Sequence, residues 1–282
     1  YYDRGNARAL LARSAEALAD GLKALEIAKS GIEARHLVRI RQFVSLQYRA
    51  VGDLKQAIVV AQLVMRDNAS SNRGAMINAS RRIAQALVAM GDVTQADAYA
   101  RRVAALVQEA RGSPHPNWRS AYPIYGSSWE ADADEARALV FESRGQYRQA
   151  EESYQRAEAF RRASLKVLSK FDFPPPPEQV LLAADGSLMS IARLKAKQGR
   201  LAEAEADARK ALLGVLKAQS KYNPETPRFI VGLAGILIEQ GRFEEAEKLT
   251  RSALEIQRTL GIGDDTPDSA QILSQLGGVL TL

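Results

Sequence analysis

Small residues recur along this chain at fixed distances from a turn. Residues 241–277 show the pattern most clearly. Gly241 marks a turn, Ala246 follows five residues on, and Ala253 follows seven later. A polar break around 264–267 then gives way to a new apolar stretch ending near Gly277. Upstream, the turn position reads Ala12, Gly52, Gly91, Gly145 and Gly199, and the position five later is alanine every time: Ala17, Ala57, Ala96, Ala150, Ala204. Twelve after the turn stand Ala24, Val64, Val103, Ala157 and Ala211; seven before it stand Gly5, Ser45, Ala84, Ala138, Ala192 and Ala234. Two antiparallel helices whose axes come within about 8–10 Å need short side chains where they cross. A glycine ends the first of them because it accepts the left-handed cap that reverses the chain. The pattern therefore predicts pairs of helices, near 32–51 and 54–67, 75–90 and 93–111, 188–198 and 202–220, 227–240 and 243–260, with a last one at 268–280.

This arrangement resembles the tetratricopeptide repeat (TPR), a helix–turn–helix unit. The first copy, YYDRGNARALLARSAEALADGLKALEI, follows that pattern nearly position by position, with Tyr1 in the aromatic slot and Gly5 in the small one. The copies from Gly199 onward look like the long repeats of kinesin light chains and of bacterial proteins with a caspase-like CHAT protease domain. The resemblance implies an all-α fold, a right-handed α-solenoid of about six repeats plus a partial seventh. The repeats fall at about 1–30, 31–70, 71–111, 130–172, 178–222 and 225–262, with the partial one at 266–282. It also implies a scaffold that holds protein or peptide segments in a concave groove.

Turn-to-turn distances of 40, 39, 54, 54 and 42 residues all exceed the family norm of about 34. The two long steps hold departures. Residues 112–129 contain both tryptophans, Trp118 and Trp129, with Tyr122 and Tyr125, and prolines at 114, 116 and 123. Those prolines predict an insert loop, its aromatics either covering core between repeats three and four or lining the groove. Ser127 or Ser128 would then cap the following helix, with Asp132, Asp134 and Glu135 in its first turn, which makes that acidic cluster helix chemistry and no metal site. After a long helix from Tyr147, residues 173–178 read as a proline-rich linker and rigid spacer.

Composition narrows the function. The absence of cysteine excludes disulfides, a thiol nucleophile and cysteine-ligated zinc. The longest apolar run, 229–238, is too short to span a bilayer; a soluble protein follows, with a cytoplasmic setting slightly favoured over a periplasmic one. The net charge of +6 is uneven, since residues 1–120 carry 18 basic against 10 acidic side chains. That basic half suits an acidic partner. No arginine-rich run, phosphate loop or aromatic–basic interleaving points to nucleic acid. His36 and His115, the only histidines, have no nucleophile at a recognisable spacing, so no catalytic residue, cofactor or metal is expected.

First helices line the inner face of such a solenoid. Their inward positions lie thirteen, ten, six and three residues before the turn. They give Arg39, Gln42 and Arg49 in repeat two, Asn78, Arg81 and Gln85 in repeat three, Glu135 and Glu142 in repeat four, Met189 and Arg193 in repeat five. Arginine and amide side chains suit a carboxylate or a peptide backbone. The Lys/Asn pattern used for a chaperone C-terminus is missing. Both ends of the sequence fall within a repeat, which predicts a regulatory module of a longer bacterial polypeptide whose adjoining domain could itself be the partner. The alternatives are an oligomerisation module and the substrate-recruiting region of a CHAT protease-like enzyme.

Overall fold

The computed structural model describes residues 1–282 apart from 12, 29–33, 68–71, 114–115, 169–176, 219, 264–265 and 282, together with the side chains of 34–35, 67, 116–121 and 123–124. Among the described residues there are thirteen helices and no strand. In chain order they are α1 (Tyr2–Leu10), α2 (Ser14–Ala28), α3 (Ala34–Ala50), α4 (Leu54–Asp67), α5 (Arg73–Ala89), α6 (Val93–Arg111), α7 (Pro116–Ser143), α8 (Tyr147–Leu168), α9 (Pro177–Lys197), α10 (Leu201–Ala218), α11 (Thr226–Glu239), α12 (Phe243–Thr259) and α13 (Pro267–Leu280). Each helix packs on the next. The odd-numbered ones also stack on one another, α1 on α3, α3 on α5, α5 on α7, α9 on α11 and α11 on α13. The result is an α-solenoid whose first helices form the inner layer.

The turns close as their glycines require. Gly52, Gly91, Gly145, Gly199 and Gly241 all have φ between +72° and +85°, a region where a Cβ would clash. The residue after each glycine donates its N–H to a carbonyl five back, as Asp53 does to Tyr48 at 2.9 Å and Arg242 to Leu237 at 2.9 Å. Orphan carbonyls are thereby satisfied and the chain reverses. In the second and third repeats the same residue caps the following helix: Asp53 and Asp92 accept from the Gln56 and Gln95 amides at 3.0 Å. Ala17, Ala96, Ala150, Ala204 and Ala246 are fully buried and Ala57 is 4% exposed. Any longer side chain there would force paired helices apart. Between repeats, Glu151 of α8 binds Arg200 at 2.9 Å and Glu205 of α10 binds Arg242 at 2.7 Å, so the same offset carries an ion pair twice.

Two boundaries differ from the sequence reading. Residues 112–129 are not an insert loop: α7 starts at Pro116 and continues to Ser143. Pro116 is tolerated because the first helical position has no intrahelical N–H bond to lose. Pro123 forfeits one bond, and tertiary packing offsets it. Trp129, 8% exposed, sits in the core of repeats two to four. A Cβ placed on Gly74 of α5 would lie 3.3 Å from its ring. Tyr125 stacks on Trp129 at 6.2 Å, Tyr122 lies tilted at the same distance, and Glu130 holds the Tyr122 hydroxyl at 2.8 Å. The Trp118 side chain and His115 lie outside the described residues. Consequently Ser127 and Ser128 are mid-helix, not caps, and Asp132, Asp134 and Glu135 are not in a first turn. The proline-rich linker is shorter than 173–178, because Pro177 and Glu178 already belong to α9; 173–176 lie outside the described residues.

Candidate functional site: the concave groove

The inner layer encloses a cavity of about 780 Å³, and every side chain on its wall comes from an odd-numbered helix. Leu46 and Arg49 enter from α3, Arg81, Arg82 and Gln85 from α5, Glu135 from α7. Met189, Arg193 and Lys197 come from α9, Arg228, Val231 and Gly235 from α11, and Asp268, Gln271, Ser274 and Gln275 from α13. The lining is uneven along the array. It takes only the C-terminal halves of α3 and α5, but the whole of α11, from Arg228 to Glu239. The array also curves enough that its two ends approach, since a Cβ on Gly52, just after α3, would lie 3.7 Å from Pro267 of α13.

Of the ten groove positions expected from sequence, Arg49, Arg81, Gln85, Glu135, Met189 and Arg193 line the cavity. Arg39 is exposed farther up α3, and Asn78 is half-buried; neither reaches the wall. Gln42 contributes its backbone, its carbonyl accepting from Arg82 at 2.6 Å. Glu142 instead holds the ammonium of Lys197 at 3.0 Å. The stacked trio of Tyr122, Tyr125 and Trp129 lines no part of the cavity. Arg82, Lys197 and the α13 face are wall residues that the sequence count omits. Gln271 and Ser274 stand six and three residues before Gly277, as the first two inward positions of each earlier repeat stand before its small residue, so the same count started from Gly277 reaches them.

The charges on this wall divide into two kinds. On the α7–α8 side, Arg161 is buried and ligated on all sides. It reaches Glu135 at 2.5 Å, Asp132 at 3.5 Å and the Ser187 hydroxyl at 2.6 Å. Arg81 completes the cluster, 3.3 Å from Asp132 and 3.4 Å from Glu135. Burial alone would raise the Glu135 carboxyl, but Arg161 and Arg81 outweigh it and hold that group at about 2. Asp132 goes the other way: its burial wins over the same two arginines, and its pKa is raised. On the α3–α5 side the arginines have neutral partners. Arg49 donates to the Gln85 side-chain oxygen at 3.0 Å and Arg82 to the Gln42 carbonyl. Burial, then Arg81, then Arg49 depress Arg82 to about 10. Burial, then Arg81 and Arg228, depress Arg49 as well. Arg193 has the Ser190 hydroxyl at 3.3 Å, and Arg228 only a rim contact of 3.5 Å with Glu225.

Such a wall offers cations, amides and small apolar floor positions such as Gly186 and Gly235. These groups are of the kind that can hydrogen-bond a polar or charged ligand. Among the described residues no cluster of His, Cys, Asp and Glu could hold a metal ion, and no helix is long and apolar enough to cross a membrane. His36 lies exposed on α3, off the cavity.

Two family models described as tetratricopeptide repeat match the chain, over residues 79–117 and 195–260. Solved structures of similar shape include a Rap protein complexed with Competence and Sporulation Factor, at TM-score 0.61 and 15% identity, covering 100% of this chain and 74% of that one. NprR in complex with its cognate peptide NprX aligns at TM-score 0.56 and 15% identity, over 94% of this chain and 65% of that one. BtubC (BKLC) from P. vanneervenii aligns at TM-score 0.53 and 15% identity, over 83% and 82%. No curated protein matches the sequence. The glycine-capped turns, the buried alanine columns and the layered helix pairs agree with the two matched segments: the chain carries tetratricopeptide repeats over residues 79–117 and 195–260.

Proposed function

We propose that this protein is a non-enzymatic recognition scaffold that holds an extended peptide or protein segment of acidic character in the groove bounded by α3, α5, α9, α11 and α13. One observation carries the reading. A single cavity of about 780 Å³ is walled only by the inner helices, and its arginines exceed the carboxylates available to pair with them. Uncompensated charge in a partly enclosed groove attracts a ligand of opposite sign and steers its approach. Two proteins of similar fold, the Rap protein and NprR, are described with a bound signalling factor and a bound peptide. Their likeness extends to the fold, and it supports a segment-binding role here.

Gly186 lines the cavity, and nothing lies within 4 Å of a Cβ built on it. Gly186→Trp therefore fills the groove without straining the backbone. Peptides selected from a random display library on the wild-type chain should be rich in Asp and Glu. They should bind Gly186→Trp at least about tenfold more weakly by fluorescence anisotropy, a loss of about 1.4 kcal/mol. Selected peptides that bind both proteins equally would place recognition elsewhere and refute the groove.

A further inference from the structure

We infer that Arg49 of α3 and Arg82 of α5 form a two-repeat oxyanion subsite, the point at which a carboxylate or phosphoryl group of the ligand is held. The inference rests on the groove being the binding surface and adds which side chains take the charge.

The argument is one of charge accounting along the wall. Six cationic side chains face the cavity: Arg49, Arg81, Arg82, Arg193, Lys197 and Arg228. Arg81 is taken up by Asp132 and Glu135, and Lys197 by Glu142. Arg228 sits on the α11 rim, where Asp268 also lines the wall and Glu225 lies 3.5 Å away. Arg193 hydrogen-bonds within its own helix, to Ser190 of α9 at 3.3 Å. Arg49 and Arg82 differ from all of these. They lie on adjacent repeats and reach across to each other's helix, Arg49 of α3 to the Gln85 side chain of α5 and Arg82 of α5 to the Gln42 carbonyl of α3, with Arg82 half-buried and Arg49 exposed. Neither has a carboxylate within ion-pair distance among the described residues. Two guanidiniums held near each other with only carbonyl and amide oxygens as partners are destabilised by mutual repulsion. An oxyanion between them relieves that repulsion and accepts charge-assisted hydrogen bonds from both. The Gln42 carbonyl and the Gln85 side chain each take one hydrogen bond from these guanidiniums and leave their other N–H groups for a ligand.

The test is thermal unfolding of the full chain, followed by far-UV circular dichroism, in sodium chloride, sodium acetate and sodium phosphate at equal ionic strength. Both oxyanions stabilise proteins generally by exclusion from their surface. The informative quantity is therefore the midpoint increment over chloride, compared between variants. Wild type and Arg101→Gln, which removes a cation exposed on α6, should share one increment, larger by about 2 °C than that of Arg49→Gln/Arg82→Gln. An increment from phosphate alone assigns a phosphoryl group, and one from both salts admits a carboxylate. Equal increments in wild type and the double variant would overturn the subsite. The single variants Arg49→Gln and Arg82→Gln give the same comparison should the double variant fold poorly. Selected segments that bind the groove with no dependence on Arg49 or Arg82 leave the scaffold reading standing and sink the subsite. Increments that vanish in the double variant while no segment binds do the reverse.

Discussion

Arg81 and Arg82 are neighbours in sequence and occupy the same groove wall, yet they sit in opposite electrostatic situations. Arg81 turns toward α7, where Asp132 and Glu135 outweigh its burial and its pKa is raised. Arg82 turns toward α3, where burial, Arg81 and Arg49 act together and its pKa falls to about 10. The same contrast separates Arg161, buried among carboxylates, from Arg49, backed by an amide. One pair of arginines ties repeats three, four and five together. The other is left with charge to spare. A solenoid has no single core, so its walls must supply both cohesion between repeats and recognition. Under the recognition role proposed for the groove, adjacent helix positions divide the two tasks.

The comparison predicts the largest loss at Arg161. It is 7% exposed and bridges α8 to Asp132 and Glu135 of α7 and to Ser187 of α9. Arg161→Ala leaves two carboxylates facing each other with only Arg81 between them. Removing one partner of a buried ion pair costs about 3–5 kcal/mol, so the urea midpoint should fall by well over 1 M if unfolding is read at a slope of about 2 kcal/mol per M. A loss below about 1 kcal/mol would show that Arg161 is not what holds α7 to α8 and α9.

Acid should expose the same cluster with a slightly smaller effect. The Glu135 carboxyl lies at about 2 against an ordinary 4.5. A depressed folded-state value means stability that is present above about 4.5 and lost as pH falls toward 2. The shift corresponds to about 3 kcal/mol as an upper figure. Asp132, shifted upward, takes up its proton earlier and offsets part of the loss. Stability measured for wild type minus Glu135→Gln should therefore shrink as pH drops from 4.5 toward 2. A difference independent of pH in that window would mean that Glu135 contributes through packing alone.

Much of this is legible in the sequence, and what escapes does so for definable reasons. The turn glycines and the alanine columns can be read directly because each repeat solves the same crossing problem with the same short side chain. The helix α7 escapes because three prolines within residues 112–129 outweigh any local helix signal. What overrides them is the docking of Trp129 against Gly74, a contact between repeats that no window of sequence displays. Reading residues 132–135 as first-turn acids follows from the same misplacement; their partners, Arg81 and Arg161, lie 51 and 29 residues from Asp132. The groove is half legible. Fixed offsets from the turn assume that every helix presents the same level to the ligand. The cavity instead takes only the C-terminal halves of α3 and α5, so Arg39 and Asn78 lie too near the starts of their helices, and Arg82, one residue beyond an expected position, takes part.

The next effect in size sets the two neighbours directly against each other. Arg81→Gln should cost about 1–2 kcal/mol, because it strips Asp132 and Glu135 of one of two cations while Arg161 remains. A double-mutant cycle of Arg81 and Arg161 should show coupling, since both serve the same carboxylates.

The smallest effect is the most discriminating. Arg82→Gln and Arg49→Gln each remove a charge that faces other arginines and no carboxylate. A charge-assisted contact to the Gln42 carbonyl or the Gln85 amide is lost, worth about 1.5 kcal/mol. Relief of repulsion from Arg81 and from the other arginine works against that loss, at a few tenths to about 1 kcal/mol for groups so placed. The net change in stability should lie within about 0.5 kcal/mol of zero, with addition of salt destabilising wild type less than either variant, because screening weakens repulsion that is stronger in wild type. Variants at both positions that lose as much stability as Arg81→Gln would place all four arginines in the same cohesive role, and the division of labour along this wall would not exist.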